Sequence, residues 1–148
     1  MLTKLIPDQV AAFWPIIKYA VEESVPPIVG EQPDRMNRIL SSMLSGKLEV
    51  WASYTRPENK FEAIMVTQFL FDEGSGTKNL LLYSVYGYTA ITEKSWTEGF
   101  HYLAEYAKAN NCSALIAYSA NQDIVNLAKQ YGGDASYTFL SIPLNKTH

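Results

Sequence analysis

Thiols, imidazoles and concentrated positive charge are all scarce in this sequence. One cysteine, Cys112, and two histidines, His101 and His148, occur in 148 residues. A lone thiol closes no internal disulfide, and one Cys with two His assembles no zinc cluster, so no metal and a reducing compartment are expected. Lys and Arg number 12 against 15 Asp and Glu, a net charge of −3, and no basic block could neutralise successive phosphates. A nucleic-acid partner is not indicated. No apolar run approaches the roughly 20 residues of a membrane helix. Residues Met1 to Pro7 hold neither a basic leader nor an export-type apolar stretch. A cytoplasmic protein without a membrane partner is the expectation.

What is abundant is core material. Hydrophobic residues make up 47% and aromatic residues 13% of the chain, enough to offset chain entropy in a single domain over residues 1–148. Leu2 to Ile6 reads as a first strand, and Pro7 with Asp8 opens a helix carrying Val10, Phe13, Trp14, Ile17, Ala20 and Val21, with a kink or a late start at Pro15. Pro33 and Asp34 start a second helix with Met36, Ile39, Leu40, Met43 and Leu44 inward, ended by Gly46. From Lys47 the period changes to two, through Tyr54, with a turn at Arg56 to Lys60. Strands at Phe61 to Phe71 and Leu80 to Val85 follow, joined by the turn-forming run Asp72 to Thr77. Thr92 or Ser95 caps a helix with Trp96, Phe100, Leu103, Tyr106 and Ala107 on one stripe. Ala114 to Tyr118 is a buried strand parallel to its predecessor, Asn121 caps a last helix closed by Gly132 and Gly133, and Tyr137 to Leu144 is a final strand. The predicted order is β-α-α-β-β-β-α-β-α-β, a mixed-sheet α/β (α+β) domain.

That order, from Lys47 to Leu144 above all, together with the spacing of Asn121 and Gly132, resembles the GNAT acyltransferase superfamily. The resemblance implies a sheet that splays between its fourth and fifth strands, with acyl-CoA in the gap. Family members often carry Asn, a Tyr seven residues later that protonates the leaving thiolate, and a Gly four beyond that. Here the Tyr position is Ala128, and Gly133 replaces the aromatic residue that usually follows the glycine. Tyr131, three residues on from Ala128, is the substitute acid that the helix period allows. The family's pyrophosphate loop, Q/R-x-x-G-x-G/A, aligns with Lys94, Thr97 and Gly99, and only Gly99 matches. By the same resemblance Val85 and Tyr86 on the fourth strand, with Lys94, Thr97, Gly99 and Asn121, are the cofactor-binding positions. A second explanation of Gly99 is close packing of another element against its helix.

The fourth strand, Tyr83 to Tyr88, carries no carboxylate where the family often places a Glu. Glu62 and Glu49 on neighbouring strands are the available acids, and alternation assigns both to the solvent side. Cys112, at a helix C-terminus, is expected to be a small buried filler, and His101 has no triad partner in spacing. Tyr83, Tyr86, Tyr88, Trp96, Tyr102 and Tyr106 cluster around the expected gap, either closing it or lining it. Two altered motifs lead to the expectation of a degenerate GNAT-like domain acting through binding to a protein partner, the alternative being an atypical acetyl-CoA-dependent N-acetyltransferase using a small-molecule acyl donor. The compact chain and the Trp-rich entry to the helix at Ser95 also resemble GNAT-like small proteins of tailed bacteriophages, which would place the protein in a virion or at the host. Pairing of the final strand across a two-fold axis would give a homodimer.

Overall fold

The computed structural model describes residues 2–55, 60–119 and 121–144. The predicted turn at Arg56 to Lys60 lies, but for Lys60, outside them. Strand β1 (Leu2–Lys4) is followed by helices α1 (Pro7–Ala12), α2 (Trp14–Glu22) and α3 (Arg35–Leu44). Then come β2 (Glu49–Tyr54), β3 (Phe61–Asp72), β4 (Thr77–Gly87), α4 (Glu93–Ala109), β5 (Ala114–Ala117) and α5 (Gln122–Gln130). The sheet runs in sequence order from β1 to β5. Its first four strands are antiparallel, and β5 joins β4 in parallel after the α4 crossover, as the sequence predicts.

The first predicted helix is two helices. Phe13 breaks it, with φ −103° and ψ 15°, and Pro15 then sits in the first turn of α2, where its missing N–H breaks no hydrogen bond. The chain can therefore turn and lay Val10 of α1 and Ile17, Ala20 and Val21 of α2 into one core. Met36, Ile39 and Met43 of α3 join them against Val50, Ala52, Ile64 and Val66 of the sheet. The opposite face carries a smaller core, where Trp51 and Leu80 meet Leu103 and Ala107 of α4. Trp51 donates its indole N–H to Thr67 Oγ1 at 2.9 Å, which satisfies both buried polar groups.

Tyr137 to Leu144 corrects the sequence prediction. Among the described residues this segment joins no strand, and Tyr137, Leu140, Ile142 and Leu144 are all exposed. Alternating apolar residues make a strand only where a ladder is offered. Upstream, Asp134 instead draws the chain into a local turn, its Oδ1 accepting the backbone N–H and hydroxyl of Ser136. No helix among the described residues is long and apolar enough to cross a membrane.

Candidate functional site

Two irregularities in the sheet define the place where chemistry can occur. The β3–β4 register pairs Val66 with Ser84 but Thr67 with Leu82, so Tyr83 is an extra, bulged residue on β4. A bulge turns side chains from their regular alternation. Tyr83, Tyr86 and Tyr88 all pack against the α1–α3 core, while Leu82 faces the α4 core. The second irregularity lies on the other side of β4. Its ladder with β5 runs from Asn79 and Ala114 to Leu82 and Ala117 and stops there, whereas β4 continues to Gly87. The two parallel strands part immediately after Leu82, one residue before the bulge.

Below the parting, on the α4 face, lies an apolar cavity of about 80 Å³. Leu82 and Val85 of β4, Trp96, Gly99 and Phe100 of α4, and Ile124 of α5 are among the residues that line it. Thus Val85, Gly99 and the aromatic residue Trp96, singled out from sequence, do meet at one place. Gly99 was also open to explanation by close packing, and that explanation is overturned: a Cβ there would meet nothing within 4 Å. The glycine leaves space in the wall of the cavity. Gly87 behaves oppositely, since a Cβ would stand 2.9 Å from the Ile91 side chain, and so it lets the chain fold tightly from β4 toward α4.

The other predicted cofactor positions lie in different surroundings. Lys94 and Thr97 belong to the first turns of α4 itself, with no glycine-rich loop ahead of the helix. Lys94 is exposed beside Glu98, with the two charges 4.0 Å apart. Thr92 caps α4 by accepting the Ser95 N–H at 3.1 Å, so one amide of the helix entrance is already satisfied internally. Asn121 likewise caps α5 through Asp123 N–H at 2.9 Å. Tyr86 lies edge-on to both Tyr19 and Tyr88. A hydrogen bond with Tyr19, and then burial, hold the Tyr86 hydroxyl above the usual tyrosine pKa. Burial does the same for Tyr83, and pushes Tyr88, whose hydroxyl donates to Ile16 O at 2.9 Å, up to about 12.

The assignment of Glu49 and Glu62 to the solvent side is wrong. Both are buried, at 9% and 8% exposure. Glu49 shares the face of Trp51, and α4 covers that face. Its Oε2 accepts the Tyr106 hydroxyl at 2.5 Å and pairs with Lys4, while Oε1 is buried with no partner. Burial and then this hydrogen bond raise the Tyr106 pKa strongly. Glu62 falls where the β2–β3 register shifts, opposite Ser53 and Tyr54, and its Oε2 accepts the Ser53 hydroxyl at 3.0 Å. Ser53 in turn lines the cavity. Period-two reasoning assigns a strand face but cannot tell which face a later helix will cover.

Tyr131 ends α5 with its ring stacked on Phe100, centroids 4.0 Å apart, and edge-on to His101 at 5.5 Å. His101 is exposed. Cys112 packs beside the α4 core. At Gly133 a Cβ would lie 2.7 Å from Ala128 O, which accounts for the missing aromatic residue: the backbone closes too tightly on α5 to admit a side chain. No group of His, Cys, Asp and Glu among the described residues could hold a metal ion.

A second concavity, on the α3 face, was not expected from the sequence. It is an open groove of about 280 Å³, and Arg35, Arg38 and Lys47 stand on its walls with Gln68 and Tyr83 at the sheet. The signal was present as Arg35 and Arg38 one helical turn apart, but Lys47 joins them only through the fold.

No family model matches the chain, and no curated protein matches it in sequence. Its fold, however, is that of solved acetyltransferases, and the structure has the GNAT architecture. A predicted acetyltransferase from Clostridium acetobutylicum, solved with acetyl-CoA, superposes with a TM-score of 0.70 at 16% identity over 100% of this chain and 98% of that one. The ribosomal-protein-alanine N-acetyltransferase of Brucella melitensis biovar Abortus 2308 gives 0.68 at 13% identity over 97% and 99%. The glucosamine-6-phosphate N-acetyltransferase of Arabidopsis thaliana gives 0.66 at 12% identity over 98% of each chain.

Proposed function

We propose that this protein is an atypical acyl-CoA-dependent N-acyltransferase. The observation that carries the proposal is the parting of β4 from β5 after Leu82, directly over an apolar cavity bordered by Gly99. Strand parting bares main-chain groups of β4 that a regular sheet would consume, and a polar arm of a thioester can bond to them. The acyl end suits the cavity, whose walls at Leu82, Val85 and Ile124 are apolar. The diphosphate end has a poorer match, since Thr92 occupies one α4 amide and Glu93 adds a negative charge to the first turn. Ordinary amides at the helix entrance would have to serve in place of a glycine cradle.

When bound, such a cofactor supplies an activated acyl carbon. The chain must then take a proton from the attacking ammonium, and Glu62 is the group assigned to it, connected to the cavity through the Ser53 hydroxyl. Ala128 stands where a tyrosine acid is expected, Tyr83 and Tyr86 of β4 pack on the face opposite the cavity, and the Tyr131 ring stacks on Phe100, so no side chain is assigned to the thiolate, which would take its proton from water. A non-catalytic binding domain is the second reading, favoured by the Thr92 cap and this missing acid, and a phage or host setting would belong to it.

Acetyl-CoA titration followed by thermal unfolding separates the two. Binding with micromolar affinity raises the midpoint by mass action. Gly99→Leu, which puts a side chain into the cavity, removes the shift. An unchanged midpoint at millimolar acetyl-CoA sinks the enzyme proposal. If acetyl-CoA binds, Glu62→Gln is expected to lower the transfer rate by about 10²-fold or more while leaving the shift in place.

A further inference from the structure

We infer that the α3-face groove is an anion site for a small carboxylate- or phosphate-bearing metabolite, and, resting on the acyltransfer reading above, that this metabolite is the acyl acceptor. Arg35, Arg38 and Lys47 put three of the chain's 12 basic residues on one groove of about 280 Å³, and among the described residues no Asp or Glu lines it. In a chain of net charge −3 that concentration is local and opposite to the whole.

The cations are incompletely satisfied by the protein. Asp34 engages only Nε of Arg38, at 2.8 Å. Arg35 gives Nη1 to the Gly30 carbonyl at 2.6 Å, a neutral acceptor that leaves its charge uncancelled. Lys47 is exposed, and no ion pair among the described residues holds it. Two guanidinium groups and an ammonium over one concavity suit an oxyanion with several acceptor oxygens, and arginine's fork fits carboxylate and phosphate alike. Ser42, Gln68 and Tyr83 add neutral hydrogen-bonding groups.

The groove also has a direction. Tyr83, which lines it, is the bulged residue of β4, one position beyond the last β4–β5 pair. The cavity for the acyl end lies on the opposite face of the same strand. An acceptor anchored by its anionic group at α3 would therefore extend along β4 into the parting from the side that the thioester does not use. A concavity of about 280 Å³ is on the scale of a small metabolite.

The test uses inorganic phosphate, succinate and the neutral succinamide as probes at constant ionic strength, with thermal unfolding as readout. Phosphate or succinate is expected to raise the midpoint and succinamide to leave it; which anion acts at lower concentration assigns the source. The double variant Arg35→Gln/Lys47→Gln should weaken that response tenfold or more. The double variant Lys18→Gln/Lys129→Gln, an equal loss of charge at exposed positions outside the groove, should keep it. No response to either anion at tens of millimolar, or an equal response in the double variant, overturns the site. Its role as acceptor site is read separately, from acetyl transfer to amines bearing a carboxylate or phosphate and to their neutral amide or dephosphorylated counterparts. A preference for the charged amine of tenfold or more in kcat/KM that collapses in the double variant supports the role, and equal use of both amines refutes it. Failure of acetyl-CoA binding would remove the acyltransfer reading, while the phosphate and succinate arm still decides the groove.

Discussion

The two ends of the chain are built differently. From Leu5 to Ala107 the sheet and its helices enclose two cores, with Ile17, Ala20, Ile64, Val66, Leu80 and Leu81 fully removed from solvent. Beyond Ala107 no described residue is buried: β5, α5 and the segment to Leu144 cover their neighbours only in part. The candidate site lies on the seam. The groove proposed for the acceptor rests on the well-packed half, whereas the cavity proposed for the acyl group is bordered by Leu115, Ile124 and Leu127 of the thinly packed half. Elements that close over a ligand are drawn from the less stable part of a fold, because they must open at low cost. The division of packing thus maps onto a division of labour, with a fixed platform on one side and a cover on the other.

The largest effect should come from comparing like substitutions across the seam. Leu80→Ala removes a side chain of 0% exposure and is expected to cost about 2–5 kcal/mol in urea unfolding. Leu127→Ala, at a half-buried position of α5, should cost roughly 1 kcal/mol or less by the same measurement. Equal losses would break the comparison, and native-state hydrogen exchange should agree with it, α5 amides opening well below the global free energy that protects β2 to β4.

Next in size is Tyr106→Phe. Tyr106 ties α4 to the buried Glu49, whose Oε1 already lacks a partner, so removing the hydroxyl leaves Lys4 as the principal support of that charge. A loss of about 1–3 kcal/mol is expected, larger than for a surface tyrosine. If the variant is as stable as the parent, the attachment of α4 to the platform is by packing alone.

Gly99→Ala works in the other direction. The helical backbone at Gly99 has room for a methyl group, so replacement should stabilise the protein by about 0.5–1 kcal/mol through helix propensity. The same change narrows the cavity, and weaker acetyl-CoA binding in a more stable protein would show that the glycine serves the ligand and not the fold. An unstabilised variant would mean that the wall of the cavity is less open than its geometry implies.

Much of the platform was legible in the sequence, because long elements with clean periods and clear caps specify themselves. Thr92, Asn121 and Gly46 stand at the helix ends where their side chains or positive φ predict them. The cover was less legible, as Tyr137 to Leu144 has the apolar alternation of a strand and no ladder to join. Val85, Trp96 and Gly99, named from the sequence, line one cavity, but Glu49 and Glu62 were assigned to the wrong environment, Glu49 because the helix that covers its strand face lies far away in sequence and Glu62 because it falls at a register shift. The groove was missed for a related reason: Lys47, Gln68 and Tyr83 come from three separate segments. Tyr83 depends further on a bulge, which no alternation pattern announces.

The smallest effect is confined to alkaline pH and tests where the platform's own strength is stored. Tyr88 holds β4 against α2 through its bond to Ile16 O, and burial raises its pKa to about 12. In the unfolded chain the hydroxyl titrates near its ordinary value of 10.0. The unfolded state therefore loses its proton first as pH rises, and by linkage the contribution is fully present below pH 10 and is lost between pH 10 and about 12. Tyr88→Phe should change stability by less than about 1 kcal/mol at pH 7. Above pH 10 it should flatten the decline by at most about 1.4 kcal/mol per pH unit, and by less than that because the ring is only half-buried. Because Tyr83, Tyr86 and Tyr106 are also raised, some alkaline slope should survive the substitution. All four rings lie on the platform or its contact with α4, so a slope unchanged by Tyr88→Phe would mean that the α2–β4 contact is as loosely held as the cover itself.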